Sequence, residues 1–432
     1  MKTTRRTFLK TGGAAAAGAL AVASAGDRVR GAGDRMTVGI IGCGGRGLRL
    51  GTALAGMDGV RVAGVCDPDE ARRERAKQKT KARAAVADMR RLLDDASIDA
   101  VVIATPDHWH GPAAILACEA GKHVYVEKPC SHNVREGRLM VEAARRQKRV
   151  VQVGSQSRSS AGIREAVALL RDGAVGEVKV AKAINSQRRK AIGRAEPSEP
   201  PDGLDYDLWV GPAPMRPYQK NLLPYHWHWF HAFGTGDIGN DGVHELDIAR
   251  WGLGVEGHPA EASGWAARMA FNDDWQFPDT YYVAYAYPGD GSVGGRRLLV
   301  YEQRDFSPYH QEGFENGNVF YGTEGMLILS KGGDWRLYGE KNKLLKEGKA
   351  GLSDTAHLHD FLDAARAGRE PNADVLIGHH AAALAHLGNI VGRLGRSVRF
   401  DPKTERIPDD AEADALTRRT YRDGHWAVPK GV

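Results

Sequence analysis

From Met36 onward, short apolar runs alternate along the chain with longer helix-like segments. The runs are rich in Val and Ile and read TVGIIG, VRVAGVC, DAVVIAT, HVYVEK and RVVQVG. The segments between them read GLRLGTALAGM, DEARRERAKQKTKA, GPAAILACEAG and NVREGRLMVEAARRQ. Near-continuous apolar strands separated by helices are typical of a parallel sheet covered on both faces. Residues 36–153 are therefore predicted to form a doubly wound α/β domain.

Beyond about Gly154 the pattern changes to longer loops and to runs in which apolar and polar residues alternate. These runs read VKVAKAINSQ, YYVAYAYPG, RRLLVYEQR and GMLILSKG. Such alternation favours an open-faced, mostly antiparallel sheet with one buried side. Two later segments, DTAHLHDFLDAARAG and LIGHHAAALAHLGNIVGRLG, have apolar residues at helical spacing and predict two helices. Residues 154–432 are therefore predicted to form an α+β domain.

The N-terminus has the three parts of an export signal: a basic start, a short apolar run and an A-x-A cleavage site at residues 23–25. The apolar run is shorter than the ~20 residues that span a bilayer. Arg5 and Arg6, followed by Phe8 and Leu9, resemble the twin-arginine (Tat) signal, which an export receptor reads. We therefore predict a signal at 1–25, a linker at 26–35, the Tat machinery as a partner and a periplasmic location. The alternative is a chance arginine pair.

The charge of the chain depends strongly on this N-terminal segment. The formal charge is +6, and removing residues 1–25 takes away four basic residues and no acidic one, which leaves +2. A chain so near neutrality lacks the basic stripe that indicates nucleic-acid binding. No later stretch is predicted to cross a bilayer, so no stable membrane anchor is expected. The length of 432 residues and the hydrophobic content of 42% suit a globular protein of about two domains.

A glycine-rich turn, GIIGCGGRG, follows the first predicted strand. Gly42, Gly44 and Gly47 fit G-x-G-x-x-G, in which the glycines allow a tight turn, close approach of a pyrophosphate and close helix packing. The N-terminus of the next helix offers free N–H groups to phosphates. The pattern predicts a Rossmann dinucleotide-binding domain, and a purely structural glycine turn is the alternative.

Asp67 bears on which dinucleotide is bound, because it ends the second predicted strand, VAGVCD. A carboxylate at this position accepts hydrogen bonds from a ribose 2′-OH and repels a 2′-phosphate. NAD is therefore favoured over NADP as the coenzyme. Arg46, Arg72 and Arg73 lie close enough in the sequence to weaken that preference.

Five further stretches follow the glycine turn in a specific order. They read TPDHWH, AGKHVYVEKP, GLDYDLWVGPAP, GNDGVHELDIARWG and LGRSVRFDPKTERIPDD. Together with the glycine turn they resemble the Gfo/Idh/MocA oxidoreductases, the family of glucose–fructose oxidoreductase and inositol dehydrogenase. The resemblance implies an NAD(P)-dependent enzyme that oxidises CH–OH groups of a small carbohydrate. It also implies a homo-oligomer, a dimer or a tetramer, whose contacts involve the second sheet.

The resemblance places the family's substrate-side lysine at Lys128. An ammonium there donates a hydrogen bond to the substrate hydroxyl and stabilises charge that develops during hydride transfer. In the family a second segment has Asp four residues before His, and here Asn240 precedes His244, with Asp241 adjacent. Since Asn orients a hydroxyl but takes no proton, the proton is predicted to pass to His244, aided by Lys128 or Asp241. The alternatives are an exposed lysine and a structural histidine.

The glycine motif, the resemblance and the chemistry of the side chains together predict residues around the coenzyme and the sugar. The coenzyme is expected to lie against Gly42, Gly44, Gly45, Arg46, Gly47, Asp67, Thr105, Pro106, Trp109, His110 and Glu127. The substrate is expected to contact Gln156, Arg158, Trp227 and His228. For Trp109 a packing role is the alternative.

A metal site is not predicted. Cys43, Cys66, Cys118 and Cys130 show no C-x-x-C and no His-paired spacing, so they are expected to be small buried apolar side chains. His226, His228 and His231 cluster in YHWHWFHAFGTG without carboxylate or cysteine partners. Their neighbouring Trp rings favour a sugar cleft first, structural packing second and a metal third.

An exported dinucleotide enzyme has no ready pool of free coenzyme outside the cytoplasm. We therefore expect NAD to be loaded before export, held tightly and regenerated in place. One hypothesis is a sugar oxidoreductase that uses a second carbonyl compound as acceptor. A second is a redox-neutral NAD-dependent glycoside hydrolase or lyase, although such enzymes often alter the EKP lysine, which is retained here. A third is a non-catalytic sugar-binding protein, supported only by Asn240.

Overall fold

The computed structural model describes residues 35–432, and its first sheet contains six parallel strands in the order β3-β2-β1-β4-β5-β6. The strands are β1 (Met36–Ile41), β2 (Val60–Cys66), β3 (Ala84–Val86), β4 (Ala100–Ile103), β5 (His123–Val126) and β6 (Val151–Val153). The helices between them are α1 (Gly45–Ala55), α2 (Glu70–Thr80), α3 (Arg90–Leu93), α4 (Asp107–Glu119) and α5 (Val134–Arg146). The predicted parallel α/β arrangement is confirmed. The predicted signal lies outside the described residues.

The edge strand β3 and the short helix α3 were not predicted from the pattern. β3 has three residues, all half-buried, and α3 has four. Elements this short carry too few periodic positions to distinguish them from loops. β3 is fixed instead by pairing with β2, from Gly64 opposite Ala84 to Cys66 opposite Val86.

The second half of the chain forms a nine-stranded sheet with helices. Its strands are β7 (Val178–Asn185), β8 (Glu261–Ala267), β9 (Thr280–Tyr287), β10 (Arg297–Arg304), β11 (Asn316–Gly322), β12 (Met326–Ser330), β13 (Trp335–Tyr338), β14 (Leu344–Gly348) and β15 (Val398–Arg399). Its helices are α6 (Ala161–Arg171), α7 (Tyr206–Val210), α8 (Val243–Leu253), α9 (Asp354–Ala367), α10 (Val375–Leu394) and α11 (Ala411–Ala415). Single turns of 3₁₀-helix lie at Gln156–Ser159, His226–Trp229 and Glu340–Asn342, and a π-helical turn lies at Ile238–Gly242.

The strands of this sheet run in the order β14-β13-β12-β11-β7-β10-β9-β8-β15. Every pair is antiparallel except β7 with β10, which are parallel. Helices α8 and α10 pack on one face, where alternate strand residues such as Tyr281, Tyr285 and Tyr301 are fully buried. The predicted mostly antiparallel, open-faced sheet is therefore confirmed.

The two sheets share their supporting helices, so residues 36–432 form one compact unit. Helix α9 packs beside α1, and its Leu358, Phe361 and Leu362 join the core under the first sheet. Helix α10 contacts both α5 of the first half and α8 of the second. The boundary predicted near residue 153 marks the end of the parallel sheet, whereas the core continues across it.

Helix α10 is the one helix among residues 35–432 with the length and apolarity of a membrane span. It therefore runs counter to the expectation that no stretch after the signal is long and apolar enough to cross a bilayer. Its apolar residues Val375, Leu384, Leu387 and Val391 are buried inside the protein, against α5, α8 and β8. Its composition is that of a helix covered by protein on most sides.

Candidate active site

A cavity of about 810 Å³ opens where the carboxyl ends of the first sheet's strands face the second half of the chain. The glycine turn after β1, the loop after β4 and the EKP loop after β5 all reach it. The carboxyl edge of a doubly wound sheet is where such folds bind their ligands. The cavity therefore contains a large share of the residues predicted for coenzyme and substrate.

The glycine turn is shaped by two close approaches. Gly42 has φ +89°, and a Cβ there would lie 2.5 Å from the carbonyl oxygen of Ala104 after β4. A Cβ on Gly47 would lie 1.8 Å from the carbonyl oxygen of Gly42. Any side chain at these positions would separate α1 from the strand ends. Gly44 and Gly45 line the cavity at the N-terminus of α1, where free N–H groups can meet phosphate oxygens, whereas Gly47 lies behind them.

Asp67 lines the same cavity at the end of β2. Its Oδ2 accepts a hydrogen bond from the Cys43 amide at 2.7 Å, and its Oδ1 accepts one from the Asp69 amide at 2.9 Å. Burial raises its pKa, and these two amides oppose that rise. The carboxylate is thus fixed beside the glycine turn, with remaining lone pairs for a ribose.

Arg72 brings a positive charge to the same end of the cavity. Its Nε lies 3.2 Å from Asp69 Oδ2, and its Nη1 lies 3.5 Å from the position of a Cβ on Gly44. Arg75 also lines the cavity there. An acid that suits a free 2′-OH and guanidinium groups that suit a 2′-phosphate therefore lie side by side.

Arg46 and Glu127 form an ion pair between the glycine turn and the EKP loop. Arg46 Nε donates to Glu127 Oε1 at 2.7 Å, and Arg46 Nη1 donates to Asp354 of α9 at 3.0 and 3.1 Å. Arg46 Nη2 is buried without a partner. Glu127 therefore orients a guanidinium whose remaining N–H groups are available to a bound anion.

The loop TPDHWH positions three side chains at the wall of the cavity. Trp109 is buried, and its Nε1 donates to the carbonyl oxygen of Trp209 at 3.0 Å. The His110 ring lies between the carbonyl oxygens of Pro129 at 2.6 Å and Thr105 at 2.9 Å. The Thr105 hydroxyl is buried without a partner. Trp109 and His110 thus fix the wall, while Thr105, next to Pro106, has free hydrogen-bonding capacity at the cavity.

Lys128 and Asn240 meet at the far side of the cavity. Lys128 Nζ donates to the Asn240 carbonyl oxygen at 2.5 Å and lies 3.4 Å from Asn240 Oδ1. The Asn240 amide donates to Asp237 at 2.9 Å and to the Tyr225 hydroxyl at 3.1 Å. Asn240 lies in the π-helical turn before α8, and such turns are frequent at functional sites. The ammonium is therefore held in place, with hydrogen-bonding capacity left for a ligand.

Asp241 belongs to this turn and His244 follows it, but neither residue lines the cavity. His244 is buried with an unpartnered Nδ1, and burial holds its pKa well below the usual value, reinforced by Lys331 and Lys128. Asp241 pairs with Lys331 and accepts from Asn316 at 2.8 Å, and despite burial the Lys331 ammonium lowers its pKa. His244 is thus a neutral imidazole and Asp241 an anion already neutralised by a cation.

Aromatic rings form the wall opposite the coenzyme end. The rings of Trp227 and His228 stack with centroids 3.5 Å apart, and both line the cavity with Tyr225. Gln156 also lines it and has a buried Oε1 without a partner. Flat rings with an amide nearby suit the apolar faces and hydroxyl edges of a sugar.

Arg158 is not among the residues around the cavity. Its guanidinium forms two hydrogen bonds to Asp247 of α8, at 2.8 and 2.7 Å, and both side chains are buried. The expected substrate contact through Arg158 does not match this position. Both carboxylate oxygens of Asp247 are thereby taken up by Arg158.

Several residues at the cavity were not singled out by the sequence. Trp426, near the C-terminus, packs on Trp109 with centroids 5.7 Å apart and carries Arg90 over its ring at 4.4 Å. Met89 and Trp209 line the wall nearby. Trp209 belongs to the motif GLDYDLWVGPAP, where no role was predicted for it. Met89 and Trp426 come from segments without a motif, so no local signal identifies them.

The described histidines of YHWHWFHAFGTG do not converge as metal ligands. Within residues 35–432 the one group with suitable spacing is His258, His379 and Glu405, far from this motif in sequence. Glu405 Oε1 lies 2.7 and 2.9 Å from the two imidazole Nε2 atoms, and Arg138 also binds this carboxylate. The Arg138 guanidinium therefore already neutralises the charge of the Glu405 carboxylate.

The cysteines are buried and unpaired in the structure. Burial raises the pKa of the Cys118 and Cys130 thiols to about 12. Cys43 and Cys66 lie at the ends of β1 and β2, where the Cys43 thiol donates to the Cys66 carbonyl oxygen at 3.4 Å. Their behaviour as small buried side chains is confirmed.

Two family models match the chain. An oxidoreductase family model with an NAD-binding Rossmann fold matches residues 36–155, and the model of that family's C-terminal alpha/beta domain matches residues 187–263 and 342–428. Together they cover about two thirds of the chain.

Curated relatives match over shorter spans. An inositol 2-dehydrogenase 2 of Saccharopolyspora erythraea is 33% identical over 245 residues, which are 55% of this chain and 61% of the relative. A glycosyl hydrolase family 109 protein of Shewanella pealeana is 34% identical over 175 residues, which are 34% of this chain and 38% of the relative. The chain therefore matches less than two thirds of the length of each.

A solved structure shares the fold over most of the chain. It is the WlbA dehydrogenase from Bordetella pertussis in complex with NADH and UDP-GlcNAcA, with a TM-score of 0.66 and 18% identity. The match covers 85% of this chain and 99% of the other. At this identity the match shows the common fold, with its two sheets.

Proposed function

Since the chain belongs to the Gfo/Idh/MocA family of NAD-binding oxidoreductases, we propose that it is an exported enzyme that oxidises a CH–OH group of a sugar, polyol or glycoside. The observation that carries the proposal is that the glycine turn and Lys128 line one continuous cavity. The reaction is hydride transfer to a tightly held nicotinamide coenzyme. The named dehydrogenase relative acts on inositol, which supports the polyol or sugar class.

The residues at the cavity fit a dinucleotide. The amides at the start of α1 and the unpartnered Nη2 of Arg46 suit its phosphates, and Asp67 suits a ribose. Thr105, with its unpartnered hydroxyl, suits the nicotinamide end. When bound, the coenzyme supplies the hydride acceptor. NAD is the favoured form, and the adjacent Arg72 leaves NADP as the second choice.

Lys128 is assigned the direct role at the reacting hydroxyl. Its ammonium, held by Asn240, donates a hydrogen bond to the alcohol oxygen and stabilises the charge that develops there. Asn240 orients the hydroxyl but cannot accept its proton. His244 is neutral and does not line the cavity, so we assign it an indirect role. The Lys128 ammonium gives a proton to His244 and takes the hydroxyl proton in its place.

Export and tight retention are part of the same proposal. The twin-arginine pattern in residues 1–25 supports passage of a folded chain to the periplasm by the Tat machinery. Trp426, packed on Trp109 at the cavity wall, supports slow release of the coenzyme. A coenzyme that stays bound must be regenerated by a second carbonyl compound.

We also propose a homo-oligomer, a dimer or a tetramer, formed through the outer face of the second sheet. Trp265 of β8, Tyr282 of β9 and Tyr321 of β11 are 52%, 44% and 39% exposed. Three aromatic side chains at the surface of one sheet are typical of a protein interface.

A redox-neutral glycoside hydrolase or lyase is the second candidate. The similarity to a glycosyl hydrolase family 109 protein over 175 residues favours it. The retained Lys128 favours the oxidoreductase. The two differ in product: the hydrolase releases free sugar from a glycoside with no added acceptor and no net NADH. A non-catalytic sugar-binding protein, supported by Asn240 alone, would bind sugar and turn over nothing.

The first test identifies the coenzyme. The protein is purified from periplasm and denatured without added nucleotide, and the released material is identified by mass and absorbance. We expect an equimolar amount of NAD(H). An empty protein that binds NAD weakly would contradict retention and export with the coenzyme.

The second test measures turnover with paired sugars and with glycosides, for the wild type and for Lys128→Met. We expect Lys128→Met to lower kcat/KM by about 10²- to 10⁴-fold. Nucleotide content is measured in both proteins as the control and is expected to be unchanged. Absence of turnover in the wild type with every sugar pair and glycoside, together with retained sugar binding, would instead support the binding protein.

A further inference from the structure

A second cavity, of about 550 Å³, lies on the other side of the EKP loop from the first. Its wall is formed by the start of α5, the C-terminal half of α10, the loop before the π-helical turn and the segment after α11. Thr235 lines this cavity, and its hydroxyl donates at 2.6 Å to Asp107, which lines the first. The two cavities are therefore separate spaces with one shared wall.

Buried polar atoms without partners gather in the second cavity. Both ring nitrogens of His132, the side-chain amide nitrogen of Asn133 and Nη1 of Arg419 have no hydrogen-bond partner. Asn133 is 3% exposed and the Arg419 side chain 8%. Each unpaired buried polar atom lowers the stability of the folded chain unless a ligand or water binds it. The coenzyme cavity shows the same signature at Arg46, Thr105 and Gln156.

The other polar atoms of Asn133 and Arg419 form hydrogen bonds within the protein. Asn133 Oδ1 accepts from the Glu136 amide at 3.0 Å and so caps α5. Arg419 donates to Glu136 Oε1 at 2.7 Å and to the His108 carbonyl oxygen at 2.7 Å. The unpartnered N–H groups are thus fixed donors rather than mobile surface groups.

The charge around this cavity has one sign. Arg393, Arg418 and Arg419 line it, and no Asp or Glu of residues 35–432 does. Arg419 is balanced by Glu136, whereas the guanidinium groups of Arg393 and Arg418 form no ion pair within that range. A cavity with cationic groups at its mouth and fixed N–H donors inside favours an anion.

The apolar part of the wall limits the kind of anion. Phe277 packs against the ring of His231 with centroids 4.2 Å apart, and Ile390 and Leu416 lie beside them. The volume is within the range of small-molecule sites. A ligand with a carbon skeleton as well as an anionic group fills such a space better than water does.

We propose that the second cavity binds a small hydroxylated organic anion, a sugar acid or a sugar phosphate, through Arg393, Arg418, Arg419, His132 and Asn133. The anionic oxygens meet the guanidinium groups, and the hydroxyls meet the imidazole and the amide. The site is distinct from the coenzyme cavity and does not include Lys128. It goes beyond the proposed dehydrogenase activity, and its test does not depend on turnover.

The test measures binding to the mature chain with its bound nucleotide, by calorimetry and by thermal unfolding. The probes are D-gluconate, glucose 6-phosphate and inorganic phosphate, with D-glucose as the uncharged control. We expect gluconate or glucose 6-phosphate to bind and to raise the unfolding temperature. Binding of gluconate identifies a carboxylate, and binding of glucose 6-phosphate alone identifies a phosphate. Equal effects of glucose, binding of inorganic phosphate alone, or no binding by any probe would overturn the proposal.

Two variants locate the binding. Arg393→Gln removes an exposed charge at the mouth, and His132→Leu removes ring nitrogens that have no protein partner. Each is expected to weaken anion binding at least tenfold, whereas Arg399→Gln, an exposed arginine on β15, is expected to leave it unchanged. Anion-free His132→Leu is expected to unfold no earlier than the wild type. Binding that survives both variants would place the anion elsewhere and overturn the proposal.

Discussion

Glu245 is a fully buried acid in the first turn of α8, just after the π-helical turn, and burial raises its pKa to about 8. Lys331 lies 3.7 Å away but pairs more closely with Asp241, so Glu245 stays protonated at neutral pH. Because the unfolded carboxyl titrates near 4.5, the free energy of unfolding falls as pH rises from about 4.5 to 8.

The variant Glu245→Gln is expected to lose this pH dependence. The free energy of unfolding of the variant minus that of the wild type should be larger at pH 8 than at pH 5. The increase should exceed about 1 kcal/mol, since one pKa unit corresponds to about 1.4 kcal/mol. Denaturant unfolding at the two pH values checks it. An equal shift at both values would mean that Glu245 ionises normally in the folded chain.

Asp67 is expected to set the coenzyme preference. In Asp67→Asn the negative charge at the ribose is lost, so the Kd of the nucleotide-stripped protein for NAD should rise about tenfold while NADP binding tightens. Arg72→Ala is the matched variant, and it should weaken NADP binding and spare NAD. Binding titrations of the stripped proteins with both coenzymes check the pair. Unchanged Kd values for Asp67→Asn would remove Asp67 from the ribose site.

Single residues show where sequence reasoning succeeds and fails. The glycine turn and Lys128 follow from short motifs, and the structure brings them to one cavity. Arg158 does not, because its partner Asp247 is 89 residues away and no local pattern links them. Whether a charged side chain faces a cavity or a buried counter-charge is decided by long-range packing.

At the scale of an element, the start of α1 gives a matched pair of substitutions. Gly47→Ala would place a Cβ against the Gly42 carbonyl oxygen, whereas a Cβ on Gly45 meets no protein atom within 4 Å. We expect Gly47→Ala to lower the stability of the coenzyme-free chain by about 1–3 kcal/mol, as overpacking does. Gly45→Ala should leave it unchanged or raise it, since Ala favours helix. Thermal unfolding of both checks this, and equal losses would contradict it.

Long elements could be predicted and short ones could not. β1, β2, α4 and α5 carry enough apolar positions to be recognised, and the alternating runs of β7, β9 and β10 indicate the second sheet. β3 has no such pattern and exists because β2 offers an open edge. The π-helical turn that presents Asn240 carries no local signal beyond its glycines. A Cβ on Gly242 would lie 2.1 Å from the Tyr301 hydroxyl, a contact with a strand far along the chain.

For the molecule as a whole, the C-terminal segment decides how closed the coenzyme cavity is. Trp426 packs on Trp109 at its wall, and Arg422 pairs with Asp207 at 2.7 Å to hold the segment in place. Trp426→Ala is expected to speed coenzyme release at least tenfold, because a large ring leaves the wall. Stopped-flow displacement of bound NADH checks it. Tyr309→Ala, which removes an aromatic side chain that is 79% exposed, is the control, and equal release rates would contradict a retaining role for Trp426.

The general architecture of two sheets could be predicted, but the way they share a core could not. The type of hydrophobic pattern changes near residue 153, where the last strand of the parallel sheet ends. Phe361 and Leu362 nevertheless fill the space under the first sheet, some two hundred residues after its last strand. The spacing of apolar residues predicts which face of a helix is buried, but it does not predict which element that face packs against.

This sharing has a consequence for the order of synthesis. Helix α9 completes the core below the first sheet, and Trp426 completes the wall of its cavity. Domains often fold in turn as they emerge from the ribosome. Here the nascent dinucleotide-binding half emerges with an open core and an unfinished wall. The core closes only after α9 has left the ribosome, and the wall only after Trp426 has.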